Sequence, residues 1–107
     1  MDIIEKLTYF NLTRQEATLY LTLLAEGRLT GYEATKLTGI SRSNTYTALA
    51  GLVDKGAAYV LEDKATRYTP VPLDEFCQNR VRRLQELKLE LLQELPVVSQ
   101  SRWLYHY

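Results

Sequence analysis

The stretch from Thr30 to Val60, TGYEATKLTGISRSNTYTALAGLVDKGAAYV, constrains the chain most, because its punctuation spells helix, tight turn, helix, strand. Thr30 followed by Glu33 is a capping box, in which each side chain satisfies a backbone amide left open at a helix start. It predicts a short helix through Ala34 and Leu37. Gly39 supplies the left-handed residue that ends this helix, and Ser41 caps the next. The second helix opens with Arg42, Ser43, Asn44, Thr45, Tyr46 and Thr47, all able to hydrogen-bond or stack. Its apolar back is Tyr46 or Ala48 with Leu49, Leu52 and Val53, and Lys55-Gly56 stops it. Two short helices about a glycine-containing turn, the second polar in front and apolar behind, follow the helix-turn-helix plan. Such a corner also occurs as a plain packing unit, so DNA binding needs a second feature.

The segment that follows supplies it. Tyr59 to Glu62 and Arg67 to Val71 are rich in β-branched and aromatic residues and are separated by Asp63, Lys64, Ala65 and Thr66. That pattern predicts a β-hairpin, and a hairpin directly after such a corner is a wing. Lys64 and Arg67 are expected at its tip, within reach of phosphate oxygens beside the groove. The alternative is an ordinary charged loop, since Glu62 and Asp63 dilute the positive charge.

Bulk numbers narrow the class. The chain has 107 residues, enough for one small domain, and 13 basic residues balance 13 acidic ones. Zero net charge argues against a dedicated non-specific nucleic-acid binder. Between Arg28 and Gly56, however, Arg28, Lys36, Arg42 and Lys55 stand against only Glu33 and Asp54. That mild excess suits a site-specific reader drawing affinity from a partner subunit. Cys77 is the sole cysteine, so no intrachain disulfide forms and a reducing cytoplasm is the expected setting. No segment has the unbroken apolar length of a membrane span, so no membrane partner is expected.

The flanks read as support. Asp2 to Tyr9 is an amphipathic helix that sets Ile3, Ile4, Leu7 and Phe10 on one side. Thr13 and Glu16 form another capping box, and Ala17, Tyr20, Leu21 and Leu24 recur at helical spacing until Gly27. Core packing is their expected use. After the wing, Pro72 fits the first turn of a last helix, with Asp74 and Glu75 near its positive end. Leu73 to Leu95 lacks glycine and proline, and Pro96 is expected to stop a helix of roughly 23 residues, about 34 Å long. Cys77, Val81, Leu84, Leu87 or Lys88, Leu91 and Leu95 step by three or four, a coiled-coil-like seam. So long a helix on so small a body predicts that its second half pairs with another subunit. Arg80, Arg82 and Arg83 are read as a solvated face paired with Glu86 or Glu90. The tail VVSQSRWLYHY resembles the opening of a strand, and a further domain is expected beyond it.

Catalytic chemistry is poorly provided for. No phosphate-cradling glycine loop is present, and the single histidine, His106, lies in the tail. One cysteine and one tail histidine offer no metal set, and Asp54, Asp63 and Asp74 are far apart. Neither an enzyme nor a bound cofactor is expected.

With these residues in hand, the chain resembles the TrmB-type winged-helix transcriptional regulators from about Leu7 to Leu95. The most specific parts are EATLYLTLL followed by TGYEATKLTGISRSNTYTALAGLVDKG, and next the RYTPVP step into the last helix. Order and spacing carry the likeness. The resemblance implies a dimeric repressor or activator that binds a double-stranded operator, its final helix pairing subunits as a coiled coil. It also implies a C-terminal effector domain, often sugar-sensing, whose beginning the tail is similar to. By position it carries the recognition-helix start to Ser41, Arg42, Ser43, Asn44, Thr45 and Tyr46, with Thr47 at the margin, and the wing contacts to Lys64 and Arg67. Two departures stand out. Gly51, inside the recognition helix, costs about 1 kcal/mol of helix stability relative to alanine and is read as close packing against another helix. Ala57-Ala58 stands where a more apolar strand start is expected, which predicts a loosely anchored wing.

The expected fold is mainly α with a small β-hairpin. A winged helix-turn-helix spans residues 1–71, a long dimerisation helix 72–95, with Val81, Leu84, Leu87, Leu91 and Leu95 at its interface, and a tail 96–107. Arg42 and Asn44 are expected on base edges, since arginine suits guanine and asparagine adenine. Ser41, Ser43, Thr45 and Tyr46 are expected on phosphates, with Lys64 and Arg67 on the flanking backbone. The rival is a winged helix used for protein assembly through its long helix.

Overall fold

The computed structural model describes residues 1–99. Along the chain run α1 (Ile3–Thr8), α2 (Arg14–Glu26), β1 (Leu29–Thr30), α3 (Gly31–Thr38), α4 (Arg42–Asp54), β2 (Ala58–Glu62), β3 (Thr66–Pro70) and α5 (Leu73–Ser99). Met1–Phe76 form one compact unit, and the chain from Cys77 onward forms a second. The first unit runs past residue 71 because Phe76, itself buried, packs its ring 5.4 Å from that of Tyr20.

Both capping boxes form. Thr13 Oγ1 accepts from the Glu16 amide while Glu16 accepts from the Thr13 amide, which starts α2. Thr30 and Glu33 do the same for α3, and Gly39, at φ 72°, ends it in the left-handed region. Ser41 caps α4 by accepting from the Asn44 amide. The core of the first unit is Leu7, Leu12, Ala17, Leu19, Tyr20, Leu23, Ala34, Ala48, Leu49, Leu52 and Phe76. Tyr20 is fully buried, and its hydroxyl donates to the Val71 carbonyl at 2.7 Å, tying α2 to the end of the wing. In α1 only Leu7 is buried, and Ile3 is 54% exposed, so the expected apolar side is only partly covered.

The sheet differs from a lone hairpin. It has three antiparallel strands in the order β1-β3-β2, with Leu29 opposite Tyr68 and Thr30 opposite Arg67. Two residues are too few to show a period of two, and Thr30 does double duty as strand partner and helix cap. At the base of the wing the expected looseness is not found. Ala57 and Ala58 are buried, the Ala57 amide donates to the Leu52 carbonyl at 2.8 Å, and the Val71 amide donates to Ala57 at 2.9 Å. Small side chains are what let the strand start this close to the end of α4.

In the second unit, α5 continues through Pro96 to Ser99, a helix of 27 residues, about 40 Å long. Pro96 therefore does not stop it. A helical proline removes its own amide from the ladder and crowds the carbonyl four residues back, a cost that weakens or kinks a helix without obliging it to end there. Arg83 pairs with Glu86 at 3.3 Å and Arg82 donates to Asn79, as a solvated face should, whereas Arg80 is half-buried and does not share that face's exposure. The strand expected in the tail lies outside the described residues. Among the described residues no helix is long and apolar enough to cross a membrane.

Candidate nucleic-acid interface

The orientation of α4 decides what it can present. Thr45, Ala48, Leu49 and Leu52 are buried, so the 3.6-residue period turns Ser43, Thr47, Ala50 and Asp54 straight outward. All four are exposed. Arg42 and Tyr46 occupy the flank facing α3, and Asn44 occupies the flank facing α2, where it shares a groove with Thr13, Arg14, Gln15 and Thr47. The alternative left open for the apolar back is thereby resolved: Ala48 is inside, and Tyr46 is 40% exposed.

Thr45 has to be corrected. It is 0% exposed, and its hydroxyl lies 3.4 Å from the Ile40 carbonyl, so it belongs to the core and touches no external partner. The error came from treating the polar start of a helix as one face. Thr47, four residues beyond Ser43, is the outward residue that sequence reading left at the margin, and counting by the helical period finds it.

Two glycines fix where α4 sits. Gly31 lies beneath the Tyr46 ring, whose hydroxyl oxygen would come within 2.6 Å of a Cβ there, so the absent side chain is what seats the ring on α3. At Gly51 a Cβ would run into the Glu16 carboxylate. That carboxylate is buried and accepts from Lys55 Nζ at 2.6 Å and from the Thr13 amide at 2.8 Å. The expected close packing at Gly51 is therefore against the buried Glu16 end of a part-buried ion pair that joins the start of α2 to the end of α4. Sequence reading counts Lys55 as a helix stop and a local positive charge but misses its pairing with Glu16, since nothing local marks a partner 39 residues away.

The wing is only half as expected. Lys64 is exposed in the turn between β2 and β3. Arg67 is not at the tip: Glu62 pairs with Thr66, which closes the turn early and puts Arg67 inside β3, opposite Leu61 and Thr30. Its charge acts on Glu33, whose carboxyl is held below the ordinary value mainly by the Thr30 backbone and side-chain hydrogen bonds, with Arg67 adding to the effect. Next along β3, burial raises the Tyr68 hydroxyl, and the neighbouring Tyr46 and Glu62 raise it further.

Residues 7–74 match the family described as sugar-specific transcriptional regulator TrmB. The chain belongs to the TrmB family. It is 32% identical over 98 residues to the HTH-type sugar sensing transcriptional regulator TrmBL1 of Pyrococcus furiosus, covering 88% of this chain and 28% of that protein. It is 38% identical over 86 residues to the uncharacterized protein YrhO of Bacillus subtilis, covering 80% and 30%. The chain thus spans less than a third of these relatives. Among solved structures it is similar to TrmBL2, described as an archaeal chromatin protein with a novel mode of DNA binding, with a TM-score of 0.86 and 28% identity over 92% of this chain and 38% of that one. The transcriptional regulator Tm0710 of Thermotoga maritima, 15% identical with a TM-score of 0.58 over 94% of this chain and 79% of its own, shares the fold. The family description is thus of transcriptional regulators, and the description of TrmBL2 is of a protein that binds DNA.

Proposed function

We propose that this TrmB-family chain reads a specific operator sequence as a homodimer. The observation that carries the reading is the outward line of α4, where Ser43 and Thr47 stand exposed with Asn44 beside them and an exposed Lys64 caps the wing. A helix with short polar side chains along its crest enters a major groove closely, and asparagine there can bond adenine in two places. Ser41 and Tyr46 fix register on the backbone, and Lys64 meets phosphate beyond the groove edge. Arg67, held in the sheet, supports the wing from within. Pairing of subunits falls to α5, where Val81, Leu84, Leu91 and Leu95 are exposed and Leu87 is half-buried. The sugar-like effector of the family description is assigned to no residue here, and a cytoplasmic setting goes with the proposed role.

The test is selection of bound sequences from a random duplex library by the purified chain at low and moderate salt. A two-fold-related motif, its half-sites one helical turn or a multiple apart, is the expected result. Repeating the selection with Thr47→Ala should relax one position of each half-site, at a cost of about 1–3 kcal/mol on the parent operator. Absence of any enriched sequence would overturn the reading and favour the protein-assembly role, to which the same exposed leucines of α5 are suited.

A further inference from the structure

Between α3 and α4 lies a groove of about 530 Å³, lined by Tyr32, Thr35, Lys36, Gly39, Ile40, Arg42 and Tyr46. It has a charge character found nowhere along the outward line of α4. Two cations meet there, and no carboxylate lines it. Neither Lys36 nor Arg42 enters an ion pair among the described residues. Each instead lies over an aromatic ring: Lys36 Nζ is 5.3 Å from the centre of the Tyr32 ring, and Arg42 Cζ is 5.9 Å from that of Tyr46. A ring face attracts a cation without neutralising it, so the charge is steered and still available to an anion. The Tyr46 ring is itself fixed by its seat on Gly31.

We infer that this groove is a phosphate clamp in which Lys36 and Arg42 grip one stretch of DNA backbone, and that Arg42 is a positioning residue and not the reader of a guanine. The inference rests on the proposed operator binding and deepens it. A guanine reader would project along the outward crest with Ser43 and Thr47, whereas Arg42 lies on the α3 flank with its guanidinium above Tyr46. The backbone is the occupant that fits, because the lining carries two cations and no carboxylate, and Arg42 and Tyr46 lie on the flank of α4 next to its exposed crest. Tyr32, 65% exposed beside Lys36, offers its hydroxyl to the same strand. Base discrimination is thereby left to Ser43, Asn44 and Thr47.

The experiment measures affinity across a salt series for the operator selected by the wild-type chain and for single-base variants of it, using wild type, Lys36→Ala, Lys36→Arg and Arg42→Ala. Lys36→Ala and Arg42→Ala should each lower the slope of log affinity against log salt by about 1. Each should weaken binding to all the duplexes by one common factor, on the order of tenfold. Lys36→Arg should keep the slope. Loss of preference at a single base pair in Arg42→Ala would return that residue to base reading and overturn the clamp, as would an unchanged slope in Lys36→Ala. Inorganic phosphate, exchanged for chloride at equal ionic strength, provides a further arm. Displacement of DNA from wild type more than from Lys36→Ala is expected, because free phosphate and the backbone then compete for one groove; equal displacement from both would overturn the clamp. A wild-type chain that selects no sequence would instead remove the parent reading, an outcome told apart by the absence of any operator to titrate.

Discussion

Gly51 shows how a residue's local cost and its tertiary role can carry opposite signs. Helix propensity alone makes alanine the better residue by about 1 kcal/mol. The buried Glu16 carboxylate occupies the space a methyl group would take, and it is held there by Lys55 and by the Thr13 amide. Gly51→Ala should therefore destabilise, since displacing a packed group typically costs about 1–3 kcal/mol and here also disturbs the part-buried Lys55–Glu16 pair. Thermal unfolding checks the sign: a raised melting temperature would show that Glu16 moves aside freely. The same comparison explains the two residues whose place in the fold differs from expectation. Thr45 and Arg67 have the chemistry of DNA-binding residues, and nothing in their side chains tells which way they point. Direction comes from the buried partners, Leu49 and Leu52 for the helix and the Thr30 and Leu61 rungs for the strand.

At the level of elements, the capping boxes were legible because they are complete within four residues. Their energetics are testable through pH. Glu33 titrates below its ordinary value because the Thr30 amide and hydroxyl, and then Arg67, favour its charged form. A carboxyl with a depressed folded-state value stabilises the fold fully above its unfolded value, and that contribution is lost as pH falls through the depressed one. Glu33→Gln should flatten the acid side of the stability profile while leaving its alkaline side parallel to wild type, as urea unfolding across pH would show. The helices, the corner and the hairpin were all readable from caps, glycines and periodicity. What escaped were features joining distant parts of the sequence: the two-residue β1, the Lys55–Glu16 pair and the seat of Tyr46 on Gly31. Local pattern carries no record of a partner outside the same element. The stop at Pro96 failed for another reason, since a breaker rule weighs one residue against a helix whose length it ignores.

For the whole molecule, assembly in the proposed regulator turns on α5. Exposed leucines at Leu84, Leu91 and Leu95 on a 27-residue helix are a self-association surface in the proposed regulator. Leu84→Asp combined with Leu91→Asp should convert a dimer to monomers in sedimentation and weaken binding to a two-half-site operator by about a hundredfold, while a single half-site is bound as before. A wild-type chain that sediments as a monomer at micromolar concentration would sink this arrangement. The wing, meanwhile, is no appendage. Because β3 is the middle strand, the hairpin is stitched through the Thr30–Arg67 rung to the residue that caps α3, and the next residue, Gly31, carries the Tyr46 ring of α4. Lys64 is thus linked to the crest of α4 through three contiguous joints, so in the proposed regulator hairpin and helix would meet a duplex together, as the two edges of one jaw.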